Sequence, residues 1–116
     1  MNKIEFKKSQ KDIIHIRFEV QSVLGKRIRT TEGYWNIISE GKHPIIKKYE
    51  KEVKETLENP DEIRKSKKDP SVFLYYKKYK AWFVCVLVRH LNNEGYIITA
   101  YVADKIKKGD IIWQRK

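Results

Sequence analysis

An α+β domain, with an N-terminal β-hairpin and helices followed by a four-stranded antiparallel sheet, is the fold class this sequence predicts. Three observations predict it. Apolar and polar residues alternate near the start, apolar residues then recur three and four apart over residues 46–57, and the second half holds aromatic and β-branched runs separated by short turns. At 116 residues the chain has the size of one ordinary domain, so a single domain over 1–116 is expected.

The elements follow in order. Ile14, Ile16, Phe18 and Val20 alternate with His15, Arg17 and Glu19, which marks a strand within residues 12–20. Gly25-Lys26 provides a turn and Arg27 to Thr30 a second strand, completing the hairpin. Thr31 or Glu32-Gly33 leads into a short helix over Tyr34 to Ser39, stopped by Gly41. Ile46, Tyr49, Val53 and Leu57 then share one face of an amphipathic helix. Pro44 suits its first turn, where a missing N–H removes no bond, and Asn59-Pro60 ends it because proline disfavours helical geometry in the preceding residue. His43 thus falls at the helix N-terminus.

Strands follow. Asp61 to Ser66 is short, and Val72 to Lys78 is rich in aromatics. Trp82 to Leu91 is apolar on both alternating faces, as a central covered strand requires. Asn92 to Gly95 forms a turn, and Tyr96 to Val102 is the next strand. Ile111-Ile112-Trp113 is expected to pack back on the core as a tail.

Composition narrows the function. Lys and Arg number 26 against 15 Asp and Glu, a formal charge of +11, while 12% of the residues are aromatic. Disordered chains share the charge but not the aromatic and β-branched content, so this chain folds. The longest apolar run, Ala81 to Val88, is far short of the roughly 20 residues that cross a membrane. The opening Met1 to Lys8 has no apolar core of a secretory signal, and the cytoplasm is the expected compartment. Cys85 stands alone, which excludes an internal disulfide and suits a small core residue. Residues 44–58 carry no net charge, whereas residues 59–116 carry +7. The excess cation therefore belongs mostly to the strand-rich half, and a polyanion such as nucleic acid is the expected partner.

Candidate chemistry comes from a few residues. His15, His43 and His90 are scattered, and no Cys or His pair has ligand spacing, so no metal and no cofactor are expected. Gly-rich phosphate loops and a Gly-x-Ser-x-Gly element are both missing. His43 offers an imidazole able to move protons near neutral pH; its bland alternative is a histidine that only caps the helix. Thr99 and Tyr101 share one face of their strand, with Ile98, Ala100 and Val102 on the core side. Either Tyr76 and Lys78 or Tyr75 and Lys77 lie beside them. Arg64 and Ser66 share a face of the short strand, with Lys67 adjoining. Such a face can hold phosphate through charge-assisted hydrogen bonds and stack bases on aromatic rings.

The order of motifs is similar to that of a known family. Thr31-x-x-x-Trp35, then His43-Pro44, then Thr56-Leu57-x-x-Pro60-Asp61-x-Ile63 resembles the front of the small phage-type nucleases in the barnase–EndoU–colicin–RelE group of metal-independent ribonucleases. Tyr75-Tyr76-Lys77, Ile97-Ile98-Thr99-Ala100-Tyr101 and Lys107-Lys108-Gly109-x-Ile111-Ile112-Trp113 match its back half. The resemblance covers residues 27–113, leaves the N-terminal strand outside, and is specific mainly through its order. It implies helices followed by four antiparallel strands whose sheet face binds and cuts RNA. It places the catalytic groups at His43, Arg64, Ser66, Thr99 and Tyr101, and nucleic-acid contacts at Tyr75, Tyr76, Lys77, Lys78 and Lys67. No glutamate general base can be matched, so His43 is expected as either acid or base. Where similar domains act as toxins, the resemblance implies an acidic antitoxin or immunity protein as a further partner. The competing expectation is a non-catalytic nucleic-acid-binding module.

Overall fold

The strand-forming runs build one sheet rather than a hairpin beside a sheet. The computed structural model describes residues 15–106 and 108–116. Residues 12–14 of the expected first strand, the opening Met1 to Lys8, and Lys107 lie outside the described residues. The elements are β1 (Ile16–Gln21), β2 (Arg27–Thr31), α1 (Glu32–Ile37), a π-helical turn (Ile38–Lys42), a 3-10 turn (Pro44–Tyr49), α2 (Glu50–Glu58), β3 (Glu62–Lys65), β4 (Val72–Tyr79), β5 (Trp82–His90), β6 (Glu94–Ala103) and β7 (Asp110–Gln114). Among the described residues the sheet has seven strands in the order β1-β2-β6-β5-β4-β3-β7. The fold is α+β.

The four strands expected from sequence are β3 to β6, and they form the antiparallel meander at the centre. Four is nonetheless too few, for two reasons. The hairpin β1–β2 joins the same sheet, because β2 runs parallel to β6 from Arg27 opposite Glu94 to Arg29 opposite Tyr96. The expected apolar tail is β7, which pairs antiparallel with β3. Ile111 and Ile112 stay half-exposed on that edge strand, and only Trp113 packs against the core.

The helical segment is also more divided than its periodicity suggests. Thr31 caps α1 by accepting from the Tyr34 amide at 3.1 Å, which starts the helix at Glu32. The chain then widens through the π turn, closed by the His43 amide donating to the Ile38 carbonyl at 2.9 Å. His43, at φ −140° and ψ 78°, breaks the helical path before the 3-10 turn, with Pro44 in its first turn as expected. Ile46, Val53 and Leu57 are fully buried along one side.

One face of the sheet takes the helices. Trp35, Ile38, Ile46, Val53 and Leu57 pack on Phe18, Ile28, Ile63, Tyr75, Val86 and Ala100 in a single core. Phe18 meets Trp35 edge-to-face, with ring centroids 5.7 Å apart. Leu57→Ala would open a cavity here, a change that costs about 2–5 kcal/mol in such cores. A bulge at Ile98 of β6, opposite the step from Leu87 to Val88 on β5, resets the alternation on β6. Ile97, not Ile98, therefore fills the core ahead of Ala100. Among the described residues no helix packs on the middle of the opposite face. It holds a second, smaller cluster of Leu74, Tyr76 and Cys85, against which Leu87, Tyr101 and Ile106 pack.

Candidate active site

Cross-strand register sets the uncovered face in rows. Tyr76, Cys85 and Tyr101 stand side by side on β4, β5 and β6, and Leu74, Leu87 and Thr99 form the next row. β6 pairs with β2 only as far as Tyr96, so among the described residues no strand flanks its second half on that side. The break at His43 turns the imidazole across that side. Its ring centroid lies 5.5 Å from that of Tyr101, tilted by 39°.

These groups line a cavity of about 430 Å³, together with Tyr76, Thr99, Asp104, Lys105 and Lys108. A groove of about 510 Å³ adjoins it, bounded by Ser66, Lys67, Lys68 and Gly109. Leu74, Leu87 and Lys108 line both, so the two spaces share one apolar floor and one cation.

The hydroxyl groups are set as donors. Burial, reinforced by the neighbouring Cys85, pushes the phenol ionisations of Tyr76 and Tyr101 well above their ordinary value, so both keep their protons at neutral pH. Burial likewise pushes the Cys85 thiol up to about 12, which removes it as a thiolate nucleophile. The Thr99 hydroxyl is buried with no partner in the protein. A buried hydroxyl without a partner is uncommon in a folded chain and is satisfied when a ligand oxygen reaches it.

The sequence-predicted residues divide into those the fold brings together and those it does not. His43, Thr99, Tyr101 and Tyr76 meet around the cavity. Of the two register alternatives, Tyr76 and Lys78 share the face of Thr99 and Tyr101; Lys78 is exposed, its ammonium 5.9 Å from the Phe83 ring. Tyr75 is fully buried on the helical side, its hydroxyl 3.1 Å from Ser22 Oγ, and cannot stack on a base. Lys77 turns to the same side and donates to the Asn59 carbonyl at 2.9 Å.

The remaining predicted residues stand at the rim or in the wall. Arg64 is largely buried, paired with Glu62 through Nε and reaching the Gly109 carbonyl at 3.4 Å, so its charge is already engaged. Ser66 Oγ accepts from the amides of Lys68 at 3.2 Å and Asp69 at 3.3 Å, which shapes a turn at the end of the groove. Lys67 is exposed on the groove wall, 3.6 Å from Asp110.

Sequence reasoning missed the segment between β6 and β7. Asp104, Lys105 and Lys108 line the site while Ile106 anchors the segment against the smaller cluster. The available signal was Lys108-Gly109 itself. Gly109 has φ +85°, and a Cβ there would meet the Lys65 carbonyl oxygen at 2.8 Å, so only glycine lets the segment close on β3. Among the described residues no three His, Cys, Asp or Glu side chains come together as a metal site, and no helix is long and apolar enough to cross a membrane. Comparison with protein-family models, with curated proteins and with solved structures finds no match to this chain.

Proposed function

We propose that this protein is a metal-independent endoribonuclease whose site is the cavity between His43 and the uncovered face of the sheet. The observation that carries the reading is the convergence of an imidazole, a partnerless buried hydroxyl and two lysines on one concave, partly apolar surface. An RNA phosphate seated there accepts hydrogen bonds from Thr99 and Tyr101, while Lys105 and Lys108 balance its charge. His43 carries one of the two proton transfers. Asp104, the carboxylate on the cavity wall, is placed to carry the other.

The reaction follows from these roles. A base removes the proton of the ribose 2′-OH, and the oxygen attacks the adjacent phosphorus in line. Hydroxyl donors and ammonium groups stabilise the charged phosphorane. An acid then protonates the departing 5′ oxygen, leaving a 2′,3′-cyclic phosphate. Arg64, opposite Leu74 on the same face, flanks this site instead of holding the phosphate, since Glu62 occupies it.

Purified protein incubated with mixed RNA in EDTA tests the reading. The expected products are fragments ending in 2′,3′-cyclic phosphate. Salt-sensitive RNA binding without any cyclic ends would instead favour the non-catalytic binding module, which uses the same basic rim.

A further inference from the structure

The groove beside the cavity differs in chemistry from the cavity itself. Lys67 and Lys68 of the β3–β4 turn and Lys108 of the segment before β7 bring three ammonium groups to it, over an apolar floor of Val72, Leu74 and Leu87. Among the described residues no histidine, carboxylate or cysteine lines it. The groups able to transfer protons stand in the cavity, so the groove is built to hold a polyanion and not to cut one.

Its cations are available. Asp69, next to Lys68, accepts instead from Ser71 and from Arg89 at 3.0 Å. Lys67 lies 3.6 Å from Asp110, but both side chains are exposed, and such a pair contributes little and yields to a phosphate. Ser66 Oγ accepts from two turn amides, which leaves its own proton to donate. The floor is also long enough for a neighbouring nucleotide. Leu74 stands opposite Leu87, and Val72 opposite Arg89 in the next row. Such rows lie roughly 7 Å apart, about twice the roughly 3.4 Å advance of one stacked nucleotide.

We infer that the groove is a second subsite, which holds the nucleotide next to the cleaved bond and restricts the substrate to single-stranded RNA. This inference rests on the ribonuclease reading, which makes RNA the occupant. Lys67, Lys68 and Ser66 take the flanking phosphate, and Lys108, common to both spaces, serves that phosphate and the one beside His43. An unpaired base covers the apolar floor. A duplex keeps its bases stacked inside and offers mainly its backbone, so the floor stays uncovered. Binding energy from the flanking nucleotide then speeds cleavage, as contacts away from the reacting atoms do.

Substrates of 2′-O-methyl RNA with one unmodified ribose confine cleavage to a single bond. A dinucleotide is compared with the same dinucleotide extended by one nucleotide on its 5′ or its 3′ side, in wild type and in a Lys67→Ala/Lys68→Ala double variant. Extension on one side is expected to raise wild-type kcat/KM about tenfold or more, and the double variant to bring that ratio close to one. Fully 2′-O-methylated RNA, which cannot be cut, tests the groove without chemistry. Wild type is expected to bind a single strand of about eight nucleotides at least about tenfold more tightly than its duplex. The double variant is expected to reduce the slope of log affinity against log salt by about 1.4, two contacts at about 0.7 each. Cleavage without gain from either extension, a gain kept by the double variant, equal binding of strand and duplex, or an unchanged slope overturns the inference. A protein that shows the binding behaviour but never cleaves keeps the groove and loses the ribonuclease reading; one that cleaves the dinucleotide without gain from extension does the reverse.

Discussion

Two histidine–tyrosine pairs lie on opposite faces of the same sheet, and they differ in how completely the protein satisfies them. On the helical face, the Tyr75 hydroxyl and His90 Nε2 are 3.0 Å apart. Ser22 adds a partner, and Phe73 stacks on the imidazole at 4.0 Å. Burial, helped by the charge of Lys26, lowers the His90 pKa to about 4 and keeps the ring neutral. On the uncovered face, His43 and Tyr101 sit 5.5 Å apart by ring centroid beside an open cavity, next to a threonine hydroxyl that has no partner. A closed network specifies structure. One left open has capacity for a ligand. Tyr75 and Tyr76, consecutive and both buried, show the same division one residue apart.

That contrast can be broken most forcefully at His43. His43→Ala is expected to lower RNA cleavage by about 10²–10⁴ while thermal melting stays near the wild-type value. Tyr101→Phe, which removes one of the donors proposed to reach the phosphate, is expected to cost about 10² in single-turnover rate, again without loss of stability. The closed face should answer in the opposite way. Tyr75→Phe removes the hydroxyl that bridges Ser22 and His90 and is expected to destabilise the fold by about 1–3 kcal/mol in urea unfolding, with the cleavage rate per folded molecule unchanged.

Smaller effects are expected at Lys108 and His90. Lys108→Ala should weaken RNA binding across all sequences and reduce the slope of log affinity against log salt by about 1, as one lost phosphate contact requires. His90 gives a pH signature. Its folded pKa of about 4 lies below the ordinary 6.5, so the unfolded chain binds the extra proton between those values. The contribution of His90 is complete above about pH 6.5 and is lost as pH falls through about 4. Melting temperatures measured across that window should drop in wild type and drop less in His90→Phe.

Most of what the sequence reveals is local. The spacing of Ile46, Val53 and Leu57 identifies the buried side of the helical segment, and alternation in β6 puts Thr99 and Tyr101 on the face away from Ala100. Each inference uses only the period of one element. The misplaced features depend on events between elements. The bulge opposite Val88 moves Ile97 into the core, and no residue type in β6 marks it. The parallel contact of β2 with β6 joins segments more than sixty residues apart, and the edge strand β7 hides its pairing behind exposed isoleucines. His43 could be placed at a helix start from Pro44, but its approach to Tyr101 follows from where the β2–β6 pairing stops. Arg64 and Tyr75 carry the right chemistry by type; Glu62 and the helical core, respectively, already use them.

On the proposed function the uncovered face, and not the closed one, performs the chemistry. The most direct test quantifies 2′,3′-cyclic phosphate formed from one RNA in EDTA by the wild-type, His43→Ala and Tyr75→Phe proteins at equal folded concentration. Cyclic ends are expected from wild type and Tyr75→Phe at matching rates, with a loss of at least about a hundredfold in His43→Ala. Equal rates in wild type and His43→Ala, or no cyclic ends from any of the three, would contradict that proposal.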